Sequence, residues 1–213
     1  MKIKEQEIVL VAEKIIKSFP RNHSITDPYR VLITTVLSQR SKDENTEIAS
    51  EKLFSVYDSV DKIANTSPQQ LYELIKPAGL YKQKAKRIVE ISKIIKKKYS
   101  GKVPDTLEEL ISLPGVGRKT ANIVLYVSFG IPALAVDTHV HRISNRLGWV
   151  STKTPEETET LLMKILPKRL WGPLNGSMVE FGKKICRPIS PKCNLCVVKE
   201  KCKYYKSEKG GKR

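Results

Sequence analysis

The stretch 113-LPGVGRKTANIVLYVSFGIPALAVDTH-139 decides how this chain is read. Gly115 and Gly117 bracket Val116, Arg118 and Lys119 follow, and an aliphatic run then recurs at helical spacing up to Gly130. Upstream, Thr106–Leu107–Glu108–Glu109 has the pattern of a capping box, so a short helix runs into the glycines and a longer one leaves them. Glycine at 115 and 117 permits positive φ and close approach of another backbone. Such a turn leaves amide N–H groups unpaired where the helix dipole is positive, which suits a phosphate. A lysine in that first turn is disfavoured as a cation, and a lysine that gives up its proton is a nucleophile. At the far end of the stretch Asp137 precedes Thr138–His139–Val140 and is expected to cap a helix over 138–147.

Working outward, helical patterns recur and strand patterns are nearly absent. Apolar positions Ile8, Val11, Ala12, Ile15 and Ile16 predict a helix over 5–18, ended before Pro20. Asp27–Pro28 opens a helix to about residue 37, and Asp43 begins the next. Ser67–Pro68 and Thr154–Pro155 read as N-caps with proline at the first helical position. Residues 83–97 form a lysine-rich amphipathic helix with Ile88, Ile91 and Ile95 inward, and one more helix at 173–185 leads to the first cysteine. About ten helices with short connections predict an all-α protein. No linker marks a domain boundary. The basic stretch 203–213 is expected to fray, with 206–213 a flexible tail.

Composition narrows the partner. In 213 residues, Lys and Arg exceed Asp and Glu to give a net charge of +17. So large an excess repels itself and points to a polyanionic partner, with the lysine-rich surface of a thermophilic or halotolerant protein as the alternative. The longest apolar run near the N-terminus, 8–12, is far below the ~18 residues of a membrane span, so no membrane role is expected. All four cysteines lie in the pattern Cys186-x6-Cys193-x2-Cys196-x5-Cys202. In a reducing compartment that crowding points to metal or cluster ligation, and the spacing alone leaves a zinc ion and a cubane cluster both open. His139 and His141 sit two apart on a helix, face different sides and do not share an ion.

The run L-P-G-V-G-R-K-T-A resembles the helix-hairpin-helix of DNA glycosylases. With A-V-D-T-H at 135–139 and the cysteine spacing, the chain resembles the endonuclease III family of base excision repair over nearly its whole length. The resemblance implies two helical lobes: a six-helix barrel with the hairpin at 22–132, and a discontinuous lobe of 1–21 and 133–205 carrying a [4Fe–4S] loop on the four cysteines. It implies a monomer that acts on double-stranded DNA holding damaged bases or abasic sites, in the cytoplasm at the nucleoid, or in a nucleus. It assigns Lys119 to attack on C1′ and Schiff-base formation, with β-elimination following, and Asp137 to stabilising the positive sugar as the base departs. Oxidised pyrimidines such as thymine glycol are the implied substrates.

DNA contacts are expected from Gly115, Val116, Gly117, Arg118 and His139, and from Arg187 and Lys192 in the cysteine loop. Two segments resemble the elements that fill the gap left by an extruded nucleotide. In 37-LSQRSKD-43, Arg40 stands where well-known bacterial relatives have glutamine, and Gln39 lies one place earlier, so the sequence leaves open which enters. The other is Gly79–Leu80–Tyr81, with Leu80 at the intercalating position. Downstream, Lys82, Lys84, Lys86 and Arg87 are in reach of phosphates. Two alternatives stand beside this reading. A mismatch glycosylase for thymine, uracil or adenine generally lacks the nucleophilic lysine; a non-catalytic helix-hairpin-helix DNA-binding protein would hold structural zinc.

Overall fold

The structure is a computed structural model and describes residues 3–210, with side chains from 4 to 207. Twelve α-helices follow one another among the described residues, joined by short loops and 3-10 turns, with no strand. None of these helices is long and apolar enough to cross a membrane. The chain divides into two units: His23–Ile131, and Met1–Asn22 with Pro132–Arg213.

In chain order the helices are α1 (Ile3–Ser18), α2 (Pro28–Ser38), α3 (Asp43–Val56), α4 (Val60–Ala64), α5 (Pro68–Ile75), α6 (Tyr81–Lys98), α7 (Leu107–Ile111), α8 (Arg118–Phe129), α9 (Thr138–Leu147), α10 (Pro155–Ile165), α11 (Trp171–Lys184) and α12 (Lys203–Gly210). The unit His23–Ile131 holds α2 to α8. Within it α2 packs against α3 and α8, and α6 against α4 and α5. Leu32, Ile33, Leu37, Leu53, Ile63, Leu71, Ile75, Ile88, Ile91 and Ile95 are fully buried there. Each contributes on the order of 1.5–3 kcal/mol by leaving water.

The capping signals act where they were read. Asp27 accepts from the Arg30 amide at 2.8 Å to start α2. Thr106 and Thr154 take the amides of Glu109 and Glu157. At Ser67 it is the backbone N–H that donates to Gln70 Oε1, at 2.9 Å.

The other unit wraps α1, α9, α10 and α11 around Ala12, Ile15, Val140, Ile143, Leu162, Leu174, Met178 and Phe181. Two helices have no counterpart in the sequence reading. Five-residue α4 is too short to show a period. α12 replaces the frayed segment expected from 203: Tyr204 lies under the Arg146 guanidinium, 4.7 Å from its ring centroid, and Lys203 packs over Gly148. These tertiary contacts supply what the polar local sequence lacks. The last three residues of the tail, 211–213, lie outside the described residues.

Candidate functional site

The hairpin lies in the unit His23–Ile131. Gly115 adopts φ +74°, which calls for glycine, and a Cβ there would sit 2.7 Å from Arg87 Cδ, so that side chain would have to shift. Gly117 differs from expectation. Its φ is −94°, an ordinary extended value, and nothing lies within 4 Å of an added Cβ. Val116 is buried under the turn, and its N–H bonds Leu113 O at 3.1 Å. Gly117 is the N-cap of α8 and, having no side chain, gives the helix no side-chain cap, at the end where the dipole is positive. Arg118 is exposed and Lys119 half-buried in that first turn.

The loop after α2 and the helix α6 of the same unit meet this hairpin. Gln39 donates through Nε2 to Gly115 O at 2.9 Å, and Arg87 Nη1 donates to Gln39 Oε1 at 3.4 Å. Gln39 is therefore engaged in holding the turn. Arg40 beside it is exposed and held at φ +53°. Leu80 has φ +48° and is 52% exposed. Left-handed backbone at non-glycine residues is strained, and both cases fall at loop tips. Gln39, Arg40, Leu80, Gln83, Lys84 and Arg87 line one open, polar pocket.

Lys84 corrects the sequence reading. Grouped there with phosphate-reaching cations, it is only 1% exposed, and Nζ donates to Leu37 O at 2.7 Å and Ala78 O at 2.8 Å. Burial pushes its pKa down from 10.5 to about 8. The signal was present: Lys84 lies four residues before Ile88 on the stripe that continues to Ile91 and Ile95. Lys82 and Lys86 are exposed, as a phosphate contact requires.

The other unit carries Asp137 at the N-cap of α9. Its Oδ1 accepts from the amides of His139 and Val140, each at 2.9 Å. Both helix amides go to Oδ1, so the helix uses one carboxylate oxygen and not the other. The approach segment is held by buried Ala133 to Val136 and by Asn175 Nδ2, which donates to Ala135 O at 2.8 Å. His139 is half-buried, and its Nδ1 lies 3.2 Å from Arg142 Nη2. The close approach of α11 at Gly182 leaves room for that ring. His141 turns away to Thr158 Oγ1, at 2.7 Å.

Cys186, Cys193, Cys196 and Cys202 are free thiols and together line one pocket, with Leu147, Phe181 and Ile185 among its apolar walls. Burial pushes Cys196 up to about 11, and the neighbouring sulfurs add to the rise; Cys202 is raised for the same first cause. Thiols that resist ionisation in isolation, gathered round one space, fit a positively charged inorganic core that takes four thiolates. The loop is tied to α9 by Arg146, which donates to Arg187 O at 2.7 Å, Pro188 O at 2.8 Å and Cys186 Sγ at 3.6 Å. Sequence reasoning missed this arginine; its place on α9, nine residues past Asp137, carries no motif. Arg187 and Lys192 are exposed on the loop.

Residues 33–168 match the family model of the HhH-GPD superfamily base excision DNA repair proteins. The chain is 65% identical over 196 residues to endonuclease III of Thermotoga maritima, covering 92% of each. It is 42% identical over 177 residues to endonuclease III-like protein 1 of Bos taurus, covering 82% of this chain and 58% of that one. Among solved structures it matches a non-covalent endonuclease III–DNA complex with a TM-score of 0.90, and a trapped endonuclease III–DNA covalent intermediate with 0.89. Both are 36% identical, covering 98% of this chain and all of theirs. A thermostable thymine-DNA glycosylase matches at 28% identity and a TM-score of 0.84, covering 96% of this chain and 97% of that one.

Proposed function

This chain belongs to the HhH-GPD superfamily of base excision DNA repair proteins, in its endonuclease III group, and from that premise we propose how its residues do the work. It is a DNA glycosylase with AP lyase activity and binds duplex DNA. Its role is removal of oxidised pyrimidines, thymine glycol among them, and cleavage at abasic sites.

Lys119 is the nucleophile. Its neutral Nζ forms a bond to C1′ as the C1′–N glycosidic bond breaks, and the base leaves with the electron pair and takes up a proton. Loss of the Nζ proton and opening of the C1′–O4′ bond give the Schiff base. Removal of a C2′ proton then expels the 3′-phosphate, and water releases the lysine. Asp137 offsets the positive charge that grows on the sugar, through the oxygen the helix does not use. The N-terminal turn of α8, with Gly115, Val116, Gly117 and Arg118, takes a backbone phosphate.

Arg40 rather than Gln39 is the side chain for the void, because Gln39 is spent on Gly115 O while Arg40 is exposed at a loop tip; Leu80 is its counterpart. His139 helps orient the site, and Arg187 and Lys192 take phosphates without reading sequence. Cys186, Cys193, Cys196 and Cys202 would hold a [4Fe–4S] cluster, which would fix the loop; the base-excision steps above need no electron transfer from it. The compartment that follows is that of the DNA: the cytoplasm at the nucleoid, or the nucleus of a eukaryote.

The observation that carries the reading is Lys119, half-buried in the first turn of α8 directly behind the hairpin. It also disfavours a mismatch glycosylase without a lysine nucleophile. The test is borohydride trapping on a thymine-glycol duplex. Wild type is expected to give a covalent adduct, and Lys119→Gln none. An undiminished adduct from Lys119→Gln would remove the mechanism.

A further inference from the structure

Lys84 has no role in the chemistry above, and its placement is costly. A buried cation needs a partner, and among the described residues no carboxylate reaches it. If this position of α6 served packing alone, methionine or leucine would fill the stripe that Ile88 and Ile91 continue. The ammonium instead contacts two main-chain carbonyls from separate segments, Leu37 and Ala78. Leu37 is at the end of α2 and Ala78 ends the 3-10 turn Lys76–Ala78, and neither carbonyl accepts from a backbone N–H among the described residues. Lys84 thus satisfies two orphan acceptors at once.

Just past each carbonyl the chain enters left-handed backbone at a non-glycine residue, Arg40 three residues on and Leu80 two residues on. Both side chains border the pocket that Lys84 also lines. Two strained tips at the mouth of one pocket, with their bases joined by one nitrogen, form a single device.

We infer that Lys84 is a positioning residue for DNA opening: its ammonium ties the base of the 38–42 loop to the base of the 79–81 loop and so sets the spacing at which Arg40 and Leu80 enter the duplex. This rests on the glycosylase reading. Lys84 touches neither the sugar nor the base, and acts through the two loops it joins. A preformed abasic site has no base to unstack and opens at less cost, so it depends less on this spacing.

The test compares Lys84→Met, which keeps the stem and removes the charge, and Lys84→Gln, a neutral donor too short to span both carbonyls. Single-turnover release of thymine glycol, strand cleavage at a preformed abasic site, and fluorescence of 2-aminopurine placed opposite the lesion are measured on protein with a wild-type circular dichroism spectrum. Base release is expected to fall ~10- to 100-fold, the scale of a displacement of about 1 Å. The 2-aminopurine signal should fall with it, while abasic-site cleavage stays within about threefold. Base release at the wild-type rate, a parallel fall of both activities, or failure of both variants to fold would overturn the inference. Failure of the glycosylase reading itself would show in wild type, as the absence of any trapped adduct.

Discussion

Asp137 caps α9, and the proposed mechanism gives it a second, chemical role that substitution separates from the first. Its Oδ1 takes two first-turn amides of α9, and its charge faces the positive end of that helix. Replacing an N-capping aspartate by alanine costs ~0.5–2 kcal/mol, and loss of both amide bonds places Asp137→Ala near the upper value. At ~2–4 °C per kcal/mol for a chain of this size, its melting temperature should drop by about 4–8 °C. Asp137→Asn keeps an oxygen for the amides and loses only the charge–dipole attraction, ~0.3–1 kcal/mol and so about 1–4 °C. If the second oxygen steadies the positive sugar, both variants should lose base excision by a similar factor, on the order of 10²–10³, whatever their stability. Thermal melting at 222 nm and single-turnover excision at a temperature where both variants are folded make the comparison. Wild-type excision by Asp137→Asn would refute the chemical role. Melting of Asp137→Ala at the wild-type temperature would refute the cap.

The two hairpin glycines should behave unequally. Gly115→Ala places a side chain in left-handed backbone, at ~1–2 kcal/mol, and forces Arg87 aside, whereas Gly117→Ala meets no atom and should fall within ~0.5 kcal/mol. Melting curves for the pair decide it, and equal losses would contradict the assignment of turn geometry to Gly115. For Lys84 the folded pKa of about 8 lies below the ordinary 10.5, so between those values the unfolded chain binds more protons. The penalty is full below pH 8 and is relieved as pH rises toward 10.5. Urea midpoints of wild type, referred to Lys84→Met, should therefore rise from pH 7.5 to pH 10; a fall would reverse the sign.

What the sequence discloses well is local. Asp137 binds amides two and three residues on, Thr106 and Thr154 three residues on, and Asp27 likewise, so spacing alone reports them. The proposed choice of Arg40 over Gln39 was not legible because its support is a contact 76 residues away: Gln39 turns to Gly115 O, while Arg40 is exposed. Gly117 was misread for the opposite reason. A glycine in a turn suggests positive φ, but the turn spends its one left-handed residue at Gly115 and reaches α8 in extended backbone. α12 owes its order to Arg146 and Gly148, which no reading of 203–210 contains.

Lysine is the residue type whose meaning here composition hides most. With 39 Lys and Arg in the chain, any one of them reads as part of a basic surface, and the net charge of +17 is explained by a polyanion without further detail. Lys82 and Lys86 fit that reading, exposed on one face of α6. Lys84, between them in sequence, does not. A helix turns each residue by about 100°, so two places along the chain separate a solvated cation from a buried one. The same reasoning sets Lys119 apart from Arg118, exposed one residue earlier. Charge brings the protein to DNA, and lysines withdrawn from the solvated pool are the ones with shifted chemistry or fixed geometry to offer. Burial on the helix face therefore sorts these cations, where counting them does not.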